Sequence, residues 1–140
     1  MAECLFCAAV AGKLDVFAVY ESDQVFAFLD HRPVFKGHVL VVPKAHVDVL
    51  ADLPHDAVGP YFLDVQRIAT AVETGLGAAG TFVALNNKVS QSVPHLHTHV
   101  VPRTKGDGLR GFFWPRTAYQ DGEAAGYAER LRTSLAGARP

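Results

Sequence analysis

The sequence predicts an α+β fold built on a five-stranded, mostly antiparallel sheet. Five short runs rich in β-branched and aromatic residues are each bounded by turn residues. One long segment keeps a helical period, and it lies between the third and fourth runs. The order strand, strand, strand, helix, strand, strand therefore brings strands together by hairpins, with the helix laid against the sheet. At 140 residues the chain has room for one sizeable core.

Residues 3–11 are compact and apolar and end at Gly12, which predicts a short helix. Val16 to Tyr20 and Val25 to Leu29 read as two strands joined by a polar turn. Asp30-His31-Arg32-Pro33 breaks the pattern, and Gly37 to Val42 forms a third strand stopped by Pro43. Val58, Phe62, Val65, Ile68, Ala69, Val72 and Leu76 recur at helical spacing. That helix starts near Pro54, carries Pro60 in its first turns and ends at Gly75 or Gly77. Thr81 to Leu85 is the fourth strand, and the fifth contains His95-Leu96-His97-Thr98-His99. A Gly-rich stretch leads to Phe112-Phe113-Trp114, either a dimer or substrate-rim patch or a seal for the C-terminal segment. Residues 121–136 form a terminal helix with Tyr127, Leu131 and Leu135 on one side. The expected organisation is a core domain over residues 1–106 and an extension, 107–140, packed on it. There is no internal repeat and no low-complexity tract.

In a strand, alternate side chains share a face, so His95, His97 and His99 line one side and Leu96, Thr98 and Val100 pack into the core. Imidazole suits proton transfer, nucleophilic attack and metal ligation near neutral pH. Composition narrows the chemistry further. The net charge of −1 provides no field for nucleic acid or an anionic membrane, so an anionic substrate needs local donors. No window approaches a membrane span, and the first residues lack the regions of a signal peptide, so a cytoplasmic protein is expected. Cys4 and Cys7 are spaced C-x-x-C. They read as half of a zinc site, as unused thiols or as a redox pair, for which no preceding strand is predicted.

Taken together, these motifs identify the chain as similar to the histidine triad (HIT) superfamily. Gln91-Ser92, the alternating histidines and Val100-Val101 match its signature. Upstream, Asp30 closes a strand, then come Pro33, Gly37-His38, an apolar run and Pro43-Lys44-x-His46. The resemblance covers residues 4–103 and implies five antiparallel strands, two main helices and a homodimer. It implies cleavage at the α-phosphorus of a purine nucleotide or nucleotide conjugate, with His97 as nucleophile and a nucleotidyl-histidine intermediate. A neutral imidazole can do this if one ring nitrogen is free and the other is tied to a backbone carbonyl on the same strand. By the same resemblance His99 contacts phosphate oxygens, Ser92 the leaving group, and His38 supports the triad from behind. Asp30 accepts from ribose hydroxyls, and Phe6 and Phe28 form either the base slot or ordinary core. Asn86 or Asn87 meets phosphate, with Gln91 beside them; the loop from Asn87 to Gln91 is shorter than is usual and lacks the family's glycine. His31 and His55 match nothing and read as surface histidines, and Arg103 and Lys105 as solvated or near distal phosphates.

Some bacterial members carry C-x-x-C and bind zinc. The matching ligands here are Cys4, Cys7, His46 and His95, a closed tetrahedral set of the structural kind, one ion per chain. Two branches of the family compete, hydrolases of nucleoside phosphoramidates and hydrolases of dinucleoside polyphosphates, and the extended C-terminus with Trp114 leaves more room for a second substrate moiety. Readings outside them are a metal-dependent hydrolase using the three histidines as ligands and a non-catalytic nucleotide-binding module.

Overall fold

The computed structural model describes residues 3–109 and 116–137, and the chain falls into two compact units, Met1–Asp107 and Gly108–Pro140. Phe112, Phe113 and Trp114 lie outside the described residues. In the first unit the elements are α1 (Leu5–Val10), β1 (Ala18–Glu21), β2 (Val25–Leu29), β3 (Val39–Pro43), a 3₁₀ turn (Leu50–Asp52), α2 (His55–Leu76), β4 (Gly80–Leu85) and β5 (Thr98–Arg103). They form one five-stranded sheet of spatial order β1-β2-β3-β5-β4. Every neighbouring pair is antiparallel, as predicted. The second unit contains α3 (Glu123–Ala136), where Gln120 N–H donates to Glu123 Oε1 at 2.7 Å across the first turn. No described helix is long and apolar enough to cross a membrane.

Strand alternation explains why β2 and β3 are buried along nearly their whole length. Val25, Ala27, Val39 and Val41 face α2, where Tyr61, Val65, Ile68 and Val72 cover them. Phe26, Phe28, Leu40 and Val42 face the other way, onto Phe6 and Ala9 of α1. Burying an apolar side chain of this size contributes about 1.5–3 kcal/mol, so the sheet is held from both sides. Helix α2 keeps its predicted span and ends at Gly77, whose φ of 68° is the left-handed cap that glycine adopts without strain. It runs on across Pro60, which lacks the N–H for one helical bond.

Several boundaries differ from expectation. α1 is shorter at both ends, β3 begins at Val39 rather than Gly37, β4 at Gly80 rather than Thr81 and α3 at Glu123 rather than Asp121. Three further differences bear on the sheet. β1 begins at Ala18 rather than Val16, with Phe17 80% exposed and its carbonyl accepting from Leu29 N–H at 2.9 Å. Pro43 belongs to β3, because its register partner is Val25 and the next N–H, that of Lys44, donates to Gln24. β5 begins only at Thr98, opposite Val41 on one side and Leu85 on the other. His95 and His97 therefore precede the strand, with His95 N–H turned onto the Val93 carbonyl at 2.8 Å. The alternation survives nonetheless: Leu96 and Val100 lie in the α2-facing cluster, and Thr98 bonds to Tyr61 of α2.

Candidate active site

The start of β5 is pinned by a buried polar contact. Tyr61, 2% exposed, donates its hydroxyl proton to the Val41 carbonyl at 2.8 Å. The Thr98 hydroxyl, 2.7 Å away, then donates to the Tyr61 oxygen. Burial pushes the Tyr61 phenol up, so it stays protonated as this donor. Thr98 lies between His97 and His99, so the bond fixes the backbone that presents both rings.

Hydrogen-bond partners assign the tautomer that each imidazole adopts when neutral. His97 Nδ1 lies 2.8 Å from the carbonyl of His95, which can only accept, so the proton sits on Nδ1 and Nε2 keeps its lone pair. Val34 N–H donates to His38 Nδ1 at 3.1 Å, which puts the His38 proton on Nε2. That N–H donates in turn to His99 Nδ1 at 2.9 Å, leaving His99 with its proton on Nε2. Burial holds both rings below the usual histidine range, and His99 falls to about 4, helped by its neighbours His97 and His38. Asp30 opposes this from 3.7 Å, where its Oδ2 approaches His38 Nε2. The site thus presents, side by side, one imidazole with a free acceptor nitrogen and one with a free donor N–H.

His97 lines a cavity of about 780 Å³ together with Leu5, Phe6, Phe28, Leu40, Asp30 and Ser92, whereas His38 and His99 are not among its lining residues. Phe6 meets His97 edge-on at 5.0 Å between ring centroids and Phe28 at 5.5 Å. It is buried in the α1-facing core and lines the cavity as well. His31, read as a surface residue, is exposed yet also lines this cavity. No periodicity marks such a position; its only signal was adjacency to Asp30.

A second cluster lies beside the first. Cys4 Sγ is 3.5 Å from His95 Nδ1, and Cys7 Sγ is 3.3 Å from His46 Nδ1 and 3.6 Å from His95 Nδ1. His95 Nε2–H donates to the Pro43 carbonyl and His46 Nε2–H to Asp48, each at 2.8 Å. Both rings therefore turn a lone pair toward the thiols, the arrangement that an outer acceptor creates in a metal site. With zinc–sulfur and zinc–nitrogen bonds of about 2.3 and 2.05 Å, a tetrahedron has sulfur–nitrogen edges of about 3.6 Å. The four ligand atoms lie within 4.8 Å of one another, so the set fits a tetrahedral ion. Among the described residues the only other such group is Asp30, His38 and His99, and His97 belongs to neither. The three histidines of the motif do not converge on one ion.

Asn86, Asn87 and Gln91 are engaged elsewhere. Asn86 Nδ2 donates to Ser90, Asn87 Oδ1 accepts from Leu50 N–H, and Gln91 joins Lys88 N–H to the Asp48 carbonyl. None of the three is among the described residues lining the cavity. Their bonds hold a tight loop in which Lys88 and Ser90 adopt φ of 71° and 59°, positions glycine would occupy more easily. Ser92, at the end of this loop, does line the cavity. Arg103 is paired with Asp107 through two bonds of 2.6 and 3.0 Å rather than simply solvated.

Comparison with known proteins agrees with this fold. The family model described as HIT domain matches residues 11–106. A crystal structure of a member of the HIT family from Bacillus subtilis superposes with a TM-score of 0.87 at 35% identity, covering 98% of this chain and all of that one. A zinc-bound histidine triad family protein from Mycobacterium smegmatis gives 0.72 at 36% identity, covering 97% of each chain. Adenosine 5'-monophosphoramidase HNT1 from Candida albicans is 27% identical over 141 residues, 96% of this chain and 93% of that one.

Proposed function

Because this chain belongs to the HIT domain family, we propose that it hydrolyses a nucleoside phosphoramidate through a covalent nucleotidyl intermediate on His97. The observation that carries the reading is the tautomer of His97. Its Nδ1–H is committed to the His95 carbonyl, and its Nε2 lone pair is free beside an open cavity. Nucleophilic attack forms a bond from Nε2 to the α-phosphorus while the bond to the leaving nitrogen breaks. The leaving nitrogen takes the electron pair and a proton, which the Ser92 hydroxyl relays from solvent water. The ring becomes cationic as the bond forms, and the bond to the His95 carbonyl strengthens with that charge. The His99 Nε2–H donates to a phosphate oxygen, drawing negative charge from the reacting phosphorus. Water then attacks phosphorus and gives up one proton to solvent, the phosphorus–Nε2 bond breaks with its electron pair returning to the ring, and a nucleoside monophosphate leaves.

Phe6 and Phe28 suit the faces of a purine, and Asp30 suits a ribose diol, since a carboxylate accepts from two hydroxyls at once. Asn86, Asn87 and Gln91 act by shaping the loop that presents Ser92. Cys4, Cys7, His46 and His95 hold one zinc ion, which when bound is a closed structural centre that braces α1. The relationship to a phosphoramidase along nearly the whole chain favours a phosphoramidate over a dinucleoside polyphosphate. A panel of adenosine and guanosine phosphoramidates and dinucleoside polyphosphates tests this choice. Adenosine phosphoramidate is expected to turn over fastest, and a clear preference for the polyphosphates would contradict it.

A further inference from the structure

Phe6 occupies an unusual place, one helical turn holding a thiol at each end and an aromatic wall of the cavity between them. Cys4 caps α1, its sulfur accepting from Cys7 N–H at 3.5 Å, and the helix has only six residues. A helix this short has no stability of its own in water. What holds it are the apolar contacts of Phe6 and Ala9 and the approach of both thiols to His46 and His95. The same Phe6 ring meets His97 at 5.0 Å and His95 at 5.9 Å. His95 gives its imidazole to the thiol cluster and its carbonyl to His97. The backbone carries the connection once more, because Leu96 N–H donates at 2.8 Å to the carbonyl of Val47, next to His46.

We propose that the Cys4–Cys7–His46–His95 site and the cavity beside His97 are thermodynamically coupled, with Phe6 as the coupling residue. Binding of a divalent ion raises the affinity for a nucleoside monophosphate, and the nucleotide raises the affinity for the ion. The physical cause is the ordering of α1. With the ion bound, Phe6 already stands in the cavity wall. Without it, the nucleotide must first recruit that wall from an ensemble in which α1 is loose, and its apparent affinity falls by the fraction in place. Linkage requires the two effects to be the same factor, here on the order of tenfold. The inference rests on reading the cavity as a nucleotide site.

The test uses the full chain with zinc and AMP as probes. AMP binding is measured by calorimetry on zinc-loaded and zinc-stripped protein, and zinc affinity by competition with a chromophoric chelator, with and without saturating AMP. The expected result is AMP binding on the order of tenfold weaker to the stripped protein, and zinc held tighter by the same factor when AMP is present. Phe6→Leu keeps an apolar side chain in α1, so zinc binding without AMP is retained while the coupling factor falls toward one. Equal AMP affinity in loaded and stripped protein of unchanged circular dichroism overturns the coupling and leaves the nucleotide reading intact. If stripping unfolds the chain, the zinc competition decides alone: an affinity indifferent to AMP overturns the proposal. If loaded protein binds no AMP, the nucleotide reading itself fails and the coupling with it.

Discussion

Replacing Tyr61 by Phe removes one oxygen atom from the core and probes how the histidine segment is held. The hydroxyl bonds to both the Val41 carbonyl and the Thr98 hydroxyl, at 2.8 and 2.7 Å, in a place where Tyr61 is 2% and Thr98 1% exposed. Each bond is worth roughly 0.5–1.5 kcal/mol net, and leaving a buried hydroxyl without a partner costs about 1–3 kcal/mol. The variant should therefore lose about 2 kcal/mol. At roughly 4 °C per kcal/mol for a unit of this size, the melting temperature should fall by about 8 °C. Thr98→Val is milder, since Tyr61 still donates to Val41, and should cost about 1 kcal/mol. The double variant leaves no orphaned hydroxyl, so its loss should be smaller than the sum of the two by about 1 kcal/mol. Urea denaturation of zinc-loaded protein measures all three, and kcat on a nucleoside phosphoramidate follows the placement of His97. Strict additivity of the two losses, or a Tyr61→Phe protein as stable as wild type, would refute the claim that this contact anchors the start of β5.

Gly37 has a φ of 97°, where any side chain is strained. A Cβ added there would meet Leu76 Cδ1, the exposed end of a side chain that can turn away, so Gly37→Ala acts mainly through backbone strain. A loss of about 1–2 kcal/mol in chemical denaturation is expected, and a neutral effect contradicts the backbone conformation described. Lys88 stands at φ 71° without being glycine. Lys88→Gly should relieve about 1 kcal/mol of strain and stabilise the loop by a few tenths of that or more, read as a higher urea midpoint. Acid should act through His99, whose pKa is lowered to about 4 mainly by burial. Between its ordinary value of 6.5 and about 4 the unfolded chain binds more protons, so stability falls as pH falls through that window and is constant above it. His38 adds in the same direction. The stability of wild type relative to His99→Asn, followed by denaturation from pH 7.5 to 4.5, should shrink steadily below 6.5; a difference that grows on acidification is the contrary outcome.

Much of this was legible in the sequence because it rests on period and spacing. The strand alternation of Val25 to Leu29, the reach of α2 to Gly77 and the split between Leu96, Thr98, Val100 and the histidines all follow from local geometry. The C-x-x-C spacing of Cys4 and Cys7 marked at most half a site, and its completion by His46 and His95 was legible only through family resemblance, since nothing local joins three segments so far apart. What could not be read depends on tertiary hydrogen bonds. β5 starts at Thr98 because the partners of Thr98 on β3, β4 and α2 begin there, which the run of alternating histidines conceals. Asn86, Asn87 and Gln91 carry residue types suited to phosphate, yet the loop's own backbone and the segment from Asp48 to Leu50 engage them. The loop can close without glycine only because those side chains hold Lys88 and Ser90 at positive φ.

The account turns on His97 as the atom that bonds to phosphorus. Rapid acid quenching of zinc-loaded protein with adenosine phosphoramidate, followed by intact-mass and peptide mass spectrometry, tests it directly. The predicted result is an added AMP moiety on the peptide containing His97, absent from His97→Ala, which should retain its zinc and its fold. An adduct on another residue, or undiminished turnover by His97→Ala, would contradict the account.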